Sequence, residues 1–399
     1  MWYLAQGGNA LVTGSAGTGK STLLQAIRER FDKRLPVTAS TGISAVNVGG
    51  MTIHSWAGLG LAEEAGDVLA RAILDKGGKA MKRIKNAKRL AIDEISMIHG
   101  DLFDKLDVVF RIVRDKPDQP FGGVQLILFG DFLQLPPVNR GGAQKFAFQS
   151  EAWKSAGIKT FMLTKVFRQE DQAFVDALNS IRLGEMTQSV RALLSTRWKV
   201  TDDDPSLRPV VMYTHNADVD RENESKLRKL QGEERRFISR DKGEGAHLSA
   251  IQKNCLAPET LRLKIGAQVM LLWNIEPLGG LANGTMGVVV GFTDEKPRVK
   301  FANGREETLE KEQWTIKNGD EILASRSQFP LRLAWCITVH KSQGMTLDKI
   351  SVFLDRVFEP GQSYVALSRV KTLGGLFIES TKIGAIRAHP DALSFYQNL

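Results

Sequence analysis

Cysteine is scarce in this chain: Cys255 and Cys336 are the only two in 399 residues. Neither sits in a C-x-x-C spacing or a Cys/His cluster, which excludes a disulfide framework and a zinc site and leaves both thiols reduced and structural. Long apolar runs are also missing. Stretches such as Val124 to Phe129 fall far short of the ~20 residues of a membrane helix, so neither an integral membrane protein nor a membrane partner is expected. The opening MWYLAQGGNALVTG has no basic segment followed by an apolar one and a small-residue cleavage site, and it is not an Arg-rich transit peptide. The expectation is a cytoplasmic protein, nucleoid-associated or in a phage-infected cell; a nuclear or mitochondrial site would need an N-terminal targeting segment. The 37 glycines and 13 prolines follow no period, and neither solenoid repeats nor low-complexity tracts occur, so collagen-like, mucin-like and fibrous readings fall away.

What is present is a globular composition, 42% hydrophobic and 25% charged, long enough for two or three domains at ~150 residues each. Lys and Arg number 54 against 45 Asp and Glu, a net charge of +9 that favours polyanionic partners.

Short β-rich runs alternate with helix-period segments through the first half. Ala10 to Thr13, Leu35 to Ala39, Arg89 to Ile92, Val124 to Phe129 and Phe161 to Leu163 read as strands; Ser21 to Arg30, Asp101 to Arg114 and Ser150 to Ala156 read as helices. That rhythm predicts a parallel sheet covered by helices. It resumes at Pro209 to Tyr213, with a helix over Asn216 to Leu230, and again at Ile337 to Val339, Ile350 to Leu354 and Leu376 to Glu379, implying a second α/β unit. Between these stretches, residues 262–329 carry closely spaced strands separated by Asn-Gly, Asp-Glu-Lys-Pro and Lys-Asn-Gly-Asp turns, the texture of a small antiparallel barrel. Residues 60–87 form a helical excursion from the first unit, ending in seven basic residues from Lys76 to Arg89 with no acid among them.

Gly14-Ser15-Ala16-Gly17-Thr18-Gly19-Lys20-Ser21 matches G-x-x-x-x-G-K-[ST] between a predicted strand and a predicted helix. The glycines let consecutive backbone N–H groups turn toward phosphate oxygens, and the helix N-terminus adds its positive dipole end. Lys20 is then placed to reach the β- and γ-phosphates of ATP, and the Ser21 hydroxyl to ligate Mg²⁺. Asp93 and Glu94 follow the strand Arg89 to Ile92, where one carboxylate would hold Mg²⁺ and the other would orient and deprotonate the attacking water. Gln134, after the strand ending at Phe129, is a candidate γ-phosphate sensor. Arg168 and Arg369, in Val166-Phe-Arg-Gln and Tyr364-Val-Ala-Leu-Ser-Arg-Val, are candidates to stabilise charge on the transferring phosphoryl group.

These motifs, with TASTGISAVNVGGMTIHS (38–55), IDEISM (92–97), DLFDKLD (101–107), LFGDFLQLPPV (128–138), GAQVMLLWN (266–274), WCITVHKSQGMTLD (335–348) and YVALSRV (364–370), stand in the order of one family and cover nearly the whole chain. The chain resembles the Pif (petite integration frequency) family of superfamily-one DNA helicases. The resemblance implies two RecA-like parallel-sheet domains, the first over 1–165 with a wedge insertion at 60–87, the second over 166–261 and 330–399, with an SH3-like barrel inserted at 262–329. It implies ATP and Mg²⁺ as cofactors, with Gly14 through Thr22 and Gly344 at the nucleotide, Ser21 and Asp93 at the metal, and Lys20, Glu94, Gln134, Arg168 and Arg369 in the chemistry. Thr41, Asn47, Thr52, His54, Thr338, His340, Lys341 and Gln343 are implied as single-stranded DNA contacts, residue types able to hydrogen-bond, stack on or neutralise a nucleic acid. The implied activity is 5′-to-3′ translocation on single-stranded DNA and unwinding of forked or structured DNA by a monomer, in replication, repair, recombination or telomere and genome maintenance.

Several readings stay open beside it: a phage-type or RecD-like helicase of the same superfamily, a nucleotide-switched DNA-binding ATPase without processive unwinding, an RNA-directed ATPase, and an RNA–DNA hybrid as partner. The family's N-terminal helix carries an adenine-reading glutamine, whereas only 13 residues precede this P-loop, so that helix is expected to be absent or reduced to a stub, and Gln6 is too close to substitute. The basic run Lys76 to Arg89 is either an attractor for duplex or a solvated helix face.

Overall fold

The computed structural model describes residues 2–30, 34–137, 145–202, 207–213, 216–275, 280–318, 321–356, 359–380 and 386–399. The chain forms two compact units: Met1–Lys165 with Thr315–Ala324 and His389–Leu399, and Val166–Trp314 with Ser325–Ala388.

The first unit is built on six parallel strands, β1 Ala10–Gly14, β2 Val37–Ala39, β3 Met51–Thr52, β4 Arg89–Asp93, β5 Gln125–Phe129 and β6 Lys159–Leu163, in the order β3-β2-β4-β5-β1-β6. Every residue of β1 and β5 is buried, as strands covered by helices on both faces must be. Leu24 and Ile27, from the helix Lys20–Arg30, pack with Val12, Val37, Ile127 and Phe129. Strand β2 begins at Val37 rather than at Leu35 because Pro36 has no N–H for the ladder; its carbonyl still accepts from Ala91 N at 2.9 Å. Strand β3, only two residues long, leaves no periodic signal in the sequence. Trp2–Ala5 make a single helical turn ahead of β1.

The excursion at 60–87 holds two helices, Gly66–Lys76 and Lys79–Asn86. The first approaches the helix Gly100–Val113 so closely that a Cβ on Gly66 would lie 2.9 Å from the Val108 side chain. A helix at Pro390–Gln397, capped by His389, also belongs to this unit. Residues 389–399 were expected with the second unit; here Phe395 stacks on Phe148 at 4.5 Å and meets Phe132 at 5.1 Å, an aromatic attachment without sequence periodicity.

The second unit contains a four-stranded parallel sheet, in the order Cys336–Thr338, Val210–Tyr213, Ile350–Val352, Leu376–Ile378. The helix Asn216–Lys229 flanks it, and Asn223 side-chain atoms bind the backbone of Trp335 and Cys336. Inserted in this unit are antiparallel strands, five of them ordered Glu306–Thr308, Lys296–Phe301, Met286–Thr293, Gln268–Leu271, Leu331–Leu333. Asp294 and Glu295 both take positive φ, 47° and 61°, closing a two-residue hairpin. The inserted β region starts earlier than 262, at Arg235–Ile238, which pairs with Thr260–Leu263. Its opening strands, RRFI and RDKG, are too polar to announce themselves. Leu261, Leu263, Val269, Leu271, Val289, Val299 and Leu331 form its core. Among the described residues no helix is long and apolar enough to cross a membrane.

Candidate functional site

Strands β4, β5 and β1 are neighbours and parallel, so the segments leaving their carboxyl ends lie along one edge of the sheet, the usual ligand edge of an open α/β sheet. From β1 the chain enters Gly14–Ser21. Gly17 and Gly19 have φ of 79° and 85°, the left-handed conformation that turns the loop around its own amides. Lys20 opens the following helix, and its Nζ donates to the carbonyls of Gly14 at 2.6 Å and Ser15 at 3.0 Å. Thr18 Oγ1 donates to Ser15 O at 2.8 Å, bracing the same turn. Ser21 is exposed on the first helical turn.

Asp93 ends β4 and is 9% exposed. Burial pushes its carboxyl up to about 6, opposed by the Glu94 backbone N–H that it accepts at 3.0 Å and by the charge of Lys20, which ties the two motifs together electrostatically. Glu94 sits in the left-handed region, φ 53° and ψ 47°, an outlier of the kind that concentrates at functional sites. After β5, Asp131 is fully buried and gathers the turn: its carboxylate accepts from Leu133 N at 3.2 Å and from Gln134 Nε2 at 3.3 Å. The Gln134 amide is thereby aimed by a carboxylate the sequence reading passed over. A third donor to Asp131, Tyr396 Oη at 3.1 Å, was equally unforeseen; no spacing links position 396 to 131.

In the second unit Arg168 and Arg369 come together. Arg168 donates to Thr346 Oγ1 at 3.0 Å and Ser368 O at 2.9 Å, and Arg369, 2% exposed, donates to Val365 O at 2.9 Å. Burial and then the Arg369 charge lower the pKa of Arg168, partly countered by Tyr364. Gln169 clips the two motifs together through the carbonyls of Ser368 and Val370. Arg168 and Arg369 thus lie close enough for the charge of one to act on the other. Gly344, φ 80°, lies in the turn that follows the strand Cys336–Thr338.

The expected DNA contacts divide into scaffolding and open groups. Thr41 and Thr52 cap short helices, accepting from Ser44 N and Ser55 N at 3.2 Å each. Thr338 is 2% exposed, and its hydroxyl accepts from Lys341 N at 3.2 Å. Asn47 is exposed, while His54, His340 and Lys341 are half-buried. Burial, then the nearby Arg332, lowers the pKa of Lys341. Gln343 is 7% exposed, and its Nε2 has no hydrogen-bond partner among the described residues. Of the basic run, Lys76, Lys79, Lys82, Lys85 and Lys88 are exposed, whereas Arg83 turns inward and donates to Trp56 O at 2.8 Å and Ser55 O at 2.9 Å.

A phosphate-loop sequence on a parallel sheet, a carboxylate pair ending a neighbouring strand, and a second parallel α/β unit with an antiparallel insertion define a P-loop protein with two RecA-like units. A family model described as PIF1-like helicase matches residues 3–192, and one described as DNA helicase Pif1, 2B domain, matches 246–292. The chain is 43% identical over 403 residues to the human ATP-dependent DNA helicase PIF1, covering 99% of this chain and 62% of that protein. It is 38% identical over 398 residues to ATP-dependent DNA helicase Pif1 of Bdellovibrio bacteriovorus, covering 99% and 89%. Among solved structures, Bacteroides sp. Pif1 in complex with ADP-AlF4 superposes with a TM-score of 0.84 at 34% identity, covering 99% of this chain and 94% of that one. Bacteroides Pif1 bound to single-stranded DNA gives 0.64 at 34% identity, covering 100% of this chain and 95% of that one. The chain belongs to the PIF1-like helicase family, and it spans about three fifths of the length of the vertebrate relatives it matches.

Proposed function

We propose that this chain is an ATP-dependent DNA helicase that translocates 5′-to-3′ on single-stranded DNA and opens forked or structured duplexes. The observation that carries the reading is the convergence at one sheet edge of Lys20, Asp93, Glu94 and Gln134, with the Lys20 charge acting on Asp93. The polarity and the DNA substrate rest on the family resemblance.

Lys20 exchanges its two carbonyl partners for phosphate oxygens, and the P-loop amides hold the rest of the triphosphate. Glu94 orients the attacking water and accepts its proton, and Gln134 contacts the γ-phosphate. On the family resemblance alone, Arg168 and Arg369 are assigned to supply positive charge to the transferring phosphoryl group. Among the described residues no group of three or more His, Cys, Asp or Glu could cage a metal. A magnesium ion would be held by Ser21 and Asp93 with the nucleotide phosphates, a hard-oxygen set of the type it prefers. When bound, Mg²⁺ neutralises charge on the β- and γ-phosphates. A buried carboxylate whose pKa is raised suits that role, because a cation beside it restores the ionised form.

The test is ATP-dependent strand separation on duplexes with a 5′ tail, a 3′ tail or no tail, with Lys20→Ala as control. Unwinding of the 5′-tailed substrate alone is expected. DNA-stimulated hydrolysis without strand separation on any substrate would replace the motor with a nucleotide-switched DNA-binding ATPase.

A further inference from the structure

One hydroxyl outside every motif bonds both to the strand that launches the P-loop and to the turn that carries Gln134. Tyr396, on the helix Pro390–Gln397, places its Oη 2.6 Å from Thr13 Oγ1, 3.1 Å from Asp131 Oδ1 and 3.2 Å from Phe132 N. A phenol has one proton. Here it goes to Asp131, so Thr13 and Phe132 N are the donors to the phenol oxygen, which then makes one bond outward and accepts two. Thr13 is fully buried in β1 and immediately precedes Gly14 of the P-loop. Asp131 in turn accepts from Gln134 Nε2. A single side chain thus braces the strand that launches the P-loop and the carboxylate that aims the γ-phosphate sensor.

The helix bearing Tyr396 is seated by contacts of its own. Phe395 stacks on Phe148 with ring centroids 4.5 Å apart, Gln149 Nε2 donates to Asp391 Oδ2 at 3.0 Å, and His389 caps the helix through Asp391 N. These attachments survive without the phenol hydroxyl, so docking and the hydroxyl's positioning role are experimentally separable.

We propose that Tyr396 is a positioning residue for ATP hydrolysis, acting on Gln134 through Asp131 and on the P-loop through Thr13. The inference rests on the P-loop reading above. Tyr396→Phe keeps the ring and deletes the three bonds, leaving Asp131 one donor short and Phe132 N without its acceptor. A sensor amide displaced by a fraction of an ångström loses turnover more than nucleotide binding. In DNA-stimulated hydrolysis kcat is expected to fall about tenfold, with KM for ATP and the affinity for a fluorescent ADP analogue within about twofold of wild type. In the double variant Gln134→Ala/Tyr396→Phe the combined loss of kcat should be smaller than the product of the two single losses, because the part of the Tyr396 effect that runs through Asp131 is already gone with the Gln134 amide and only the part through Thr13 remains.

Wild-type kcat in Tyr396→Phe would overturn the proposal. So would defects that multiply in the double variant, or a kcat loss matched by equal losses of ADP affinity and melting temperature, the pattern of simple undocking. Should Tyr396→Phe fail to fold, Thr13→Val removes a donor to the same phenol oxygen from the other side; unchanged kcat there overturns the proposal as well. Lys20→Ala, measured in parallel, isolates the underlying reading: retained hydrolysis in that variant removes the P-loop assignment itself, whatever Tyr396 does.

Discussion

Replacing Arg326 with methionine probes the inserted β region. The Arg326 side chain is 1% exposed and forks onto Asp241, Nε to Oδ1 at 2.8 Å and Nη2 to Oδ2 at 2.7 Å, while Nη1 donates to Ala257 O at 3.0 Å. Asp241 is itself only 12% exposed on its side chain. Methionine fills similar volume but abandons a buried carboxylate, a loss of about 3 to 5 kcal/mol at neutral pH. Removing both charges, as Arg326→Met/Asp241→Leu, should recover most of that, because the pair's attraction and its desolvation largely offset each other. The pH dependence gives the sign. In the wild type, hydrogen bonds from Arg326 hold Asp241 below the usual carboxylate range, so its contribution is present above the unfolded pKa and is lost as pH falls through the folded one. In the single variant burial is opposed only by the hydrogen bonds from Ser239 and Gln252, so the folded pKa of Asp241 lies higher than in the wild type and less stability is lost on acidification. The stability gap between wild type and Arg326→Met should therefore narrow as pH drops from 7 toward the carboxylate range. Urea titration at several pH values, read by fluorescence of the Trp273–Trp314 pair (ring centroids 5.3 Å apart) in the same region, measures it. A gap below about 1 kcal/mol at pH 7, or one that does not change with pH, would refute this account of the pair.

Glu94→Gln should lower kcat for DNA-stimulated ATP hydrolysis by about 10³ while ADP affinity, measured by fluorescence titration, stays near wild type. Lys79→Ala/Lys82→Ala/Lys85→Ala removes exposed charge only; if that face meets duplex, the slope of log affinity for forked DNA against log salt becomes shallower by about 2 to 3. Arg83→Ala, by contrast, abandons the carbonyls of Ser55 and Trp56 and should cost about 2 kcal/mol of stability in denaturant titration without shifting that slope.

Where chemistry demands contiguous residues, the sequence is transparent. A phosphate loop needs glycines, lysine and a hydroxyl within eight positions between a strand and a helix, so Gly14 to Ser21 could be read directly, and so could the acid pair at the end of β4. The strand and helix rhythm of both α/β units was legible for the same reason, since buried parallel strands leave short apolar runs. Part of what escaped depends on long-range contacts: the inward turn of Arg83 and the Tyr396–Asp131 bond require knowing what lies across space. The rest is local but leaves no periodic signal: Thr41 and Thr52 cap helices of only six and five residues, and nothing in the residue type marks the left-handed backbone of Glu94. The inserted β region was placed too late because its first strands carry charge where β-branched residues are expected.

The seating of residues 389–399 on the first unit has a consequence for biogenesis. A chain emerging from the ribosome offers residues 1–165 first, yet Phe132 and Phe148 wait for Phe395, and the Thr13 and Asp131 side chains wait for Tyr396. The six-stranded sheet can form early but cannot be finished until the whole second unit has been translated. Its aromatic face stays bare in the interval, which makes the nascent sheet a natural client for chaperones. For the same reason an excised fragment of residues 1–165 should be stickier and less stable than its sheet alone suggests, and it should be rescued by adding residues 389–399 back as a fused segment.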